Sequence, residues 1–440
     1  MTRSEIQNAL SLLGRRPSRG LGQNFLHDRN LARWIVARLD VQRGDHVVEL
    51  GPGLGALTEL LIHPDVLLTL LEKDEHMVQW LRKRFGFAGV ELFHVDALDF
   101  DLRLLYGSGP VKVIGNLPYY VSTPLIAKYT SALSPASILV LTLQQEVAER
   151  LVAQPRTKQY GAMTVCASRR WNIRLERKLP PSVFHPKPKV SSAVVVFERK
   201  GAQEIVPCDD GMLESLVRRG FSERRKQLRN LLGEYKERWP DLCAVLGVSE
   251  TVRAEEFSLT EWERFCQLVA PIQAQRDEEM FCVVDENDRV SGSETRQTVH
   301  VNNLRHRAVH VLIFNRKGEL FLQKRSIWKD RHPGKWDSSA SGHVDAAESY
   351  LEAAVREMHE EIGIECPLEK VGKLPCSADT GWEFIEIFRG IHEGPLRLAT
   401  MEIEAGVFFS LEQTRAWLQQ SPEDFSPVFA MCLHLLEKLR

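Results

Sequence analysis

Between residues 30 and 200, short runs of β-branched and aliphatic residues alternate with stretches of helical spacing. HVVEL (46–50), LLTLLEKD (67–74), ELFHV (91–95), VKVIGN (111–116), SILVLTL (137–143) and SSAVVVF (191–197) predict strands. Their spacing predicts βαβ units and a largely parallel sheet. Residues 209–270 carry a helical pattern with no strand-like run. APIQAQRDEEM (270–280) reads as a linker. MFCVVDENDRVSG (280–292) then predicts a strand running into a turn, and AVHVLIFNRKGELFLQKR (308–325) a hairpin turning at Asn315–Gly318. A helix is predicted from Ser349 to Ile362. There is no internal repeat and no low-complexity tract.

At 440 residues the chain exceeds one ordinary core. The expected order is an α/β domain over 1–200, a helical domain over 201–270, a linker over 271–279 and a further α/β domain over 280–440. The longest apolar runs, such as Ile138–Leu143, are too short to span a bilayer, so no membrane partner is expected. The first 20 residues lack an apolar core followed by a small-residue cleavage site, which argues against a signal peptide. The eight cysteines are scattered with no C-x-x-C pair, which favours a reducing cytoplasm over a disulfide framework or a zinc site.

Charge divides the chain. Residues 1–270 hold 37 Lys+Arg against 31 Asp+Glu, and residues 271–440 hold 20 against 28. A basic first part suits a polyanion and an acidic second part suits divalent metal, although two solvated surfaces would give the same asymmetry.

The segment Glu49-Leu50-Gly51-Pro52-Gly53-Leu54-Gly55 follows a strand and opens a helix. Its glycines let the backbone approach a ligand, and Glu49, Gly51 and Gly53 are the candidate contacts. Glu72 ends the next strand and is placed to bind ribose hydroxyls. Asp96, in VDAL, ends the third and is placed to bind an adenine amino group. These features fit NAD or S-adenosylmethionine equally. Asn116-Leu117-Pro118-Tyr119, after the fourth strand, separates the two. An exocyclic adenine amine is a poor nucleophile because its lone pair is delocalised into the ring. The Asn116 amide oxygen and the Leu117 carbonyl can accept its two hydrogens and aim the lone pair at a sulfonium methyl. Pro118 fixes the turn, and Tyr119 offers a face for the base.

Here the chain resembles a known family. GLGQNFLHD (20–28), ELGPGLG (49–55), LEKD (71–74), VDAL (95–98), GNLPYYVSTPL (115–125), VFHPKPKVSSAVV (183–195), FSERRKQLRNLL (221–232) and RAEEFSLTEWERF (253–265) are similar, in order, to the ribosomal RNA adenine dimethyltransferases of the KsgA type, over residues 18–270. The resemblance implies a Rossmann-like S-adenosylmethionine methyltransferase domain with a small all-α domain. It implies that Gln23, Asn24 and Leu26 line the donor site, that Gly51 and Glu72 bind the donor, and that Asp96 holds its adenine. Asn116 and Tyr119 would receive the target base and Phe184 would stack on it. The implied partner is small-subunit ribosomal RNA in an immature 30S particle. A ribosome-assembly binding factor with secondary methylation, and a resistance-type methylase acting on large-subunit RNA, are the alternatives. Arg218-Arg219, Arg224-Arg225-Lys226 and Arg229 put six cations into twelve residues. With Lys187 and Lys189 they could neutralise RNA phosphates, or form a solvated helix face.

The second half carries a complete Nudix box, from Gly342 through Glu348 to Arg356-Glu357-Met358-His359-Glu360-Glu361-Ile362-Gly363-Ile364. On a helix, Glu357, Glu360 and Glu361 share one face. Clustered hard oxygens suit Mg²⁺ or Mn²⁺, with the Gly342 carbonyl as a further ligand and Glu361 as the principal catalytic acid. Arg356 would orient the glutamates. Residues 306–364 are similar to the Nudix branch nearest isopentenyl-diphosphate isomerase. That branch's isomerases carry a catalytic cysteine before the box, and Trp336–His343 here has none. The expectation is an α/β/α Nudix domain that hydrolyses a small diphosphate, with an isomerase-like domain as the alternative.

Overall fold

The apolar runs become strands within a residue or two of their predicted limits. They are β1 (His46–Leu50), β2 (Leu67–Glu72), β3 (Val90–His94), β4 (Val111–Asn116), β5 (Ala136–Gln144) and β7 (Ser192–Arg199). A seventh strand, β6 (Trp171–Leu179), completes the sheet in the order β3-β2-β1-β4-β5-β7-β6. Strands β1 to β5 run parallel. β7 is antiparallel to both β5 and β6. The structure is a computed structural model of the chain. It describes all residues except 19, 21, 87–88, 119, 132–133, 272–277, 330, 400 and 439–440, and the side chain of residue 202. Most of the expected linker lies outside the described residues.

Alternation along the strands divides the core between the two faces of the sheet. Val48, Leu50, Val113, Leu139, Leu141, Val195 and Phe197 pack on one side with Tyr129 and Trp171. Val47, Leu70, Ile114, Val140, Val194 and Val196 pack on the other with Leu31, Ile35 and Leu81. Asp28 and Asp74 cap the Arg29–Ala37 and Glu75–Phe85 helices by accepting backbone N–H groups of the first turn.

The segment after β7 is helical as expected, with helices at Asp210–Gly220, Leu228–Leu231, Trp239–Leu246 and Leu259–Val269. Met1–Val206 and Gly211–Ala270 form one compact unit, and Pro271–Arg440 with Pro207–Asp210 forms the second. The helices are therefore part of the sheet's unit, where the sequence suggested a separate domain. Phe221, Phe257, Trp262 and Phe265 make their aromatic centre. Two buried bonds fasten it to the sheet portion. Tyr160 Oη donates to the Phe257 carbonyl at 2.8 Å. Arg169 Nη1 meets Glu263 Oε1 at 2.9 Å, with side chains only 4% and 6% exposed.

The second unit holds a nine-stranded sheet built from β8 (Met280–Val284), β9 (Val290–Thr295), β10 (His306–Phe314), β11 (Leu320–Arg325), β12 (Trp336–Asp337), β13 (Ala340–His343), β14 (Glu369–Leu374), β15 (Glu383–Ile391) and β16 (Ile403–Phe409). β10 is its axis, parallel to β15 and antiparallel to β8, β11 and β13. The Tyr350–Ile362 helix starts on a Ser349–Glu352 capping box and stops at Gly363, whose φ is 66°. Ala353, Ala354, Met358 and Ile362 lie in a core with Val309, Val311 and Ala340. Glu357 and Glu361 are thereby set on the helix flank beside β13.

The Arg169–Glu263 pair gives a stability prediction. Removing one partner strands a buried charge, so Glu263→Ala should lower the unfolding free energy by about 3–5 kcal/mol. Urea unfolding of the full chain, followed through the transition of the first unit, measures it. An unshifted midpoint would show that the pair does not hold the helices in place.

Candidate functional site

The first cavity opens at the C-terminal ends of β1, β2 and β4, where the strand order reverses between β1 and β4. It brings together Gln23, Asn24, Leu26, Glu49, Gly51, Gly53, Glu72, Asp96, Asn116 and Leu117. Gly53 sits at φ 56°, and a Cβ there would lie 3.0 Å from the Phe25 ring. Its N–H donates to Glu72 Oε2 at 2.9 Å, and the Asp74 N–H donates to Oε1 at 2.9 Å. Burial nevertheless pushes the Glu72 carboxyl above its ordinary range. Glu49 is deeper, with Oε2 accepting from the Thr58 hydroxyl at 2.6 Å. Burial pushes it up to about 8, Thr58 offsets part of this, and the charge of Glu72 adds to it.

At the far wall Asp96 accepts from Lys73 Nζ at 2.6 Å and from the Leu98 N–H at 2.9 Å. Burial pushes its carboxyl up, but these bonds and the charges of Lys73 and Lys128 outweigh it and hold the group below its ordinary value. The Asn116 Nδ2 donates to the Asn24 carbonyl at 2.9 Å. The amide is thus fixed by its nitrogen, and its oxygen remains as an acceptor at the cavity.

The second cavity lies along the flank of the Tyr350–Ile362 helix and gathers Gly342, Glu357, Glu360 and Glu361. A Cβ on Gly342 would fall 2.0 Å from the Glu357 carboxylate, so only glycine permits this approach. Glu361 Oε2 accepts from the Ser341 N–H at 3.0 Å and from Gln323 Nε2 at 3.1 Å. Arg356 reaches Glu348 at 2.9 Å, Glu357 at 2.7 Å and Glu360 at 3.3 Å. Lys329 touches Glu361 at 3.5 Å and also pairs with Glu402. Burial, then the charge of Glu361, pushes the Glu357 carboxyl up to about 8 despite Arg356. A divalent cation would restore what burial beside the Glu361 charge costs Glu357, so the donor set fits a hard metal.

A second set of donors in the same unit escaped the sequence reading. His300, His306 and His343 bring ring nitrogens within 4.8 Å of one another. Glu383 Oε1 stands 3.4 Å from Nε2 of both His306 and His343. His306 Nδ1 is bonded to the Leu304 carbonyl at 2.8 Å, which turns Nε2 toward the carboxylate. Burial holds His343 down to about 3, in the neutral, ligating form. These residues could hold a borderline divalent ion. No C-x-x-C or H-x-x-x-H spacing announced them, because β10, β13 and the Arg296–Val301 helix each supply one histidine.

A family model described as Ribosomal RNA adenine dimethylase matches residues 15–270. The chain belongs to the ribosomal RNA adenine dimethylase family. A second model, NUDIX domain, matches residues 304–429. The protein is thus an enzyme of the dimethylase family that also carries a NUDIX domain. Among similar proteins, ribosomal RNA small subunit methyltransferase A of Prosthecochloris aestuarii is 39% identical over 256 residues, spanning 58% of this chain and 94% of the relative. A solved dimethyladenosine transferase of Plasmodium falciparum covers 55% of this chain and 95% of its own, at 22% identity and a TM-score of 0.46. A MutT protein of Methanosarcina mazei covers 30% and 90%, at 26% identity and a TM-score of 0.26.

Two expected residues of the dimethylase unit are not among those brought to the cavity. Tyr119 lies outside the described residues. Phe184 is buried, pairs with Leu26 across a two-residue ladder and packs in the core, away from the cavity wall. The basic cluster is partly engaged in surface ion pairs. Arg218, Arg219, Arg224 and Lys226 are already paired, with Glu214, Glu234, Glu255 and Glu223. Among the described residues, Arg225, Arg229, Lys187 and Lys189 carry no ion pair, and all but the half-buried Arg229 are exposed.

Met1 and Ile6, on and just before the Arg3–Leu12 helix, also wall the dimethylase cavity. Their signal was present as a Thr2–Glu5 capping box ahead of Ile6, Ala9 and Leu10. Among the described residues, no helix is long and apolar enough to cross a membrane.

Glu49 sets a pH dependence. Its folded value, about 8, exceeds the ordinary 4.5, so the folded chain keeps the proton longer than the unfolded chain does. That contribution to stability is complete below pH 4.5 and is lost as pH rises toward about 8. Glu49→Gln, a neutral mimic, should therefore flatten the fall in Tm over this window relative to the parent chain. Parallel Tm–pH curves for the two proteins would rule this out.

Proposed function

We propose that residues 1–270 dimethylate N6 of adenines in small-subunit ribosomal RNA, and that residues 280–440 hydrolyse a small X-diphosphate with Mg²⁺ or Mn²⁺. The observation carrying the first half is the Asn116 amide, pinned through its nitrogen to Asn24 with its oxygen left at the cavity. The similarity to a small-subunit methyltransferase over nearly that relative's whole length supports the choice of RNA.

S-adenosylmethionine, when bound, supplies a methyl carbon made electrophilic by its sulfonium. The residues present fit it. Glu72, held by two backbone N–H groups, faces the cavity to accept from ribose hydroxyls. Asp96 accepts from an adenine amine, with Gln23, Asn24, Leu26 and the Gly51–Gly53 turn along the sides. The Asn116 oxygen and the Leu117 carbonyl take the two N6 hydrogens of the target adenine, which localises the nitrogen lone pair. The N–C bond forms as the S–C bond breaks, and the nitrogen sheds a proton to water. A monomethylated nitrogen keeps its lone pair, so the same groups serve a second transfer. Tyr119 stacks on the base in this reading, and Phe184 supports the donor wall through Leu26. Lys187, Lys189, Arg225 and Arg229 meet phosphates, while Arg224 and Lys226 must first exchange their carboxylate partners.

In the second unit Glu357, Glu360, Glu361 and the Gly342 carbonyl hold the metal, and Arg356 fixes the glutamates. The metal, when bound, neutralises the diphosphate and activates water. Among the described residues lining this cavity there is no cysteine, and Ser341 stands beside Gly342, which favours hydrolysis over isomerisation.

Methyl incorporation from labelled donor into immature 30S particles tests the first half. Asn116→Ala should slow it about 100-fold while leaving donor affinity nearly unchanged. Tight particle binding without incorporation would favour an assembly factor, and incorporation into large-subunit RNA a resistance-type enzyme. Phosphate release from a diphosphate panel tests the second half. Glu361→Gln should cost about 1,000-fold in turnover, and undiminished turnover would reject the metal cage.

A further inference from the structure

The second cavity concentrates unusual backbone. Among the described residues, six non-glycine residues have positive φ, and three of them, Asn303, His332 and Trp382, line this one cavity. Asparagine and histidine visit the left-handed region readily. Tryptophan does not, because its bulky side chain makes no local bond to offset the Cβ clash. Trp382 nevertheless has φ 66°. Two backbone bonds hold it there: its N–H donates to the Ser377 carbonyl at 2.8 Å, and its carbonyl accepts from the His306 N–H at 3.1 Å. Gly381 before it shares the left-handed conformation, and a Cβ there would meet Arg331 Nη1 at 2.7 Å. The turn is thus pressed against a cation on one side and fastened to β10 on the other.

The ring so placed is available. Trp336 and Trp417 pack on other aromatic rings in this unit, whereas Trp382 pairs with no aromatic ring among the described residues and is partly exposed. The other apolar residues of the lining, Ala308, Ala378, Pro427 and Val428, are small, and charged groups dominate the rest. A flexible hydrocarbon chain would find little surface here to leave water for. A flat heterocycle would stack on one indole face and turn its polar edge to the charged walls.

We propose that Trp382 is a strained, preset stacking residue that makes the cavity select diphosphates carrying a flat ring over those carrying an aliphatic chain. The proposal rests on the diphosphate-hydrolase reading for its ligand class, and it adds the residue that discriminates among diphosphates. Local strain of this kind persists only where surrounding bonds impose it, and here those bonds fix the Trp382 backbone at the cavity wall.

The test compares ADP with dimethylallyl diphosphate, which share a terminal diphosphate and differ in the group it carries. Calorimetric binding to the full chain, with Ca²⁺ replacing Mg²⁺, should show ADP about tenfold tighter. Trp382→Phe should keep the preference, and Trp382→Ala should reduce it to about twofold or less. Trp382→Gly should do the same with a Tm no lower than the parent's, since glycine suits the backbone there. A merely structural tryptophan would instead cost Tm and leave the preference intact. Equal affinities in the parent chain, or a preference surviving in the Gly and Ala variants, would overturn the proposal. Glu361→Gln should lose turnover with Mg²⁺ and keep the ADP preference. Turnover surviving in that variant would reject the metal cage, and no turnover by the parent chain would defeat the hydrolase reading; either would leave the stacking result to stand by itself.

Discussion

Both cavities depend on one close approach, a glycine backbone set directly against a buried carboxylate. In the first unit the Gly53 N–H donates to Glu72 at 2.9 Å. In the second, Gly342 lies so near Glu357 that a Cβ would stand 2.0 Å from its carboxylate. Burial raises Glu72 and Glu357 above their ordinary values, and at Glu72 the Gly53 N–H offsets part of that rise. An acid held this way favours a ligand that restores what water supplied: hydroxyl donors at Glu72, a cation at Glu357. The glycines thus do more than turn the chain, because they leave room for a buried acid at the edge of each cavity.

Much of this was legible in the sequence because it was local. The apolar runs of β1 and β4 match their predicted limits to the residue. The Tyr350–Ile362 helix begins after the predicted Ser349, whose hydroxyl caps it, and ends where Gly363 allows a left-handed residue. All the donor-site residues named from sequence fall on one cavity because parallel strands bring successive C-terminal ends to one edge. β6 was missed because its run, WNIRLERKL, alternates apolar and charged residues at a sheet edge and has no continuous apolar signal.

What the sequence hid was set by tertiary pairing. Six cations within twelve residues read as a phosphate-binding face, but two carboxylates from other segments claim two of them, Glu255 for Arg224 and Glu234 for Arg219. Phe184 carries a family signature, yet it is buried in the core with Leu26, and no spacing rule reveals which of two neighbouring surfaces an aromatic will take. The His300, His306 and His343 cluster and the left-handed Trp382 belong to the same class. Each depends on which strand lies beside which.

The charge asymmetry shows how composition and geometry differ as evidence. The second part of the chain is acidic by count, and an acidic balance was taken to suit metal. Many of those acids stand in ion pairs: Glu348, Glu357 and Glu360 share Arg356, Asp288 meets Arg307 and Lys373, and Glu361 meets Lys329. One arginine among three glutamates leaves carboxylate in excess at the helix, and net charge over the whole part does not locate that excess. The case for metal rests on different ground, a pair of adjacent buried acids of which one is pushed to about 8. A dication entering there would displace the Arg356 and Lys329 contacts only in part, since Arg356 also holds Glu348 and the His343 carbonyl. The arginine can stay anchored while Glu357 turns to the metal, so the cage is organised before the ion arrives.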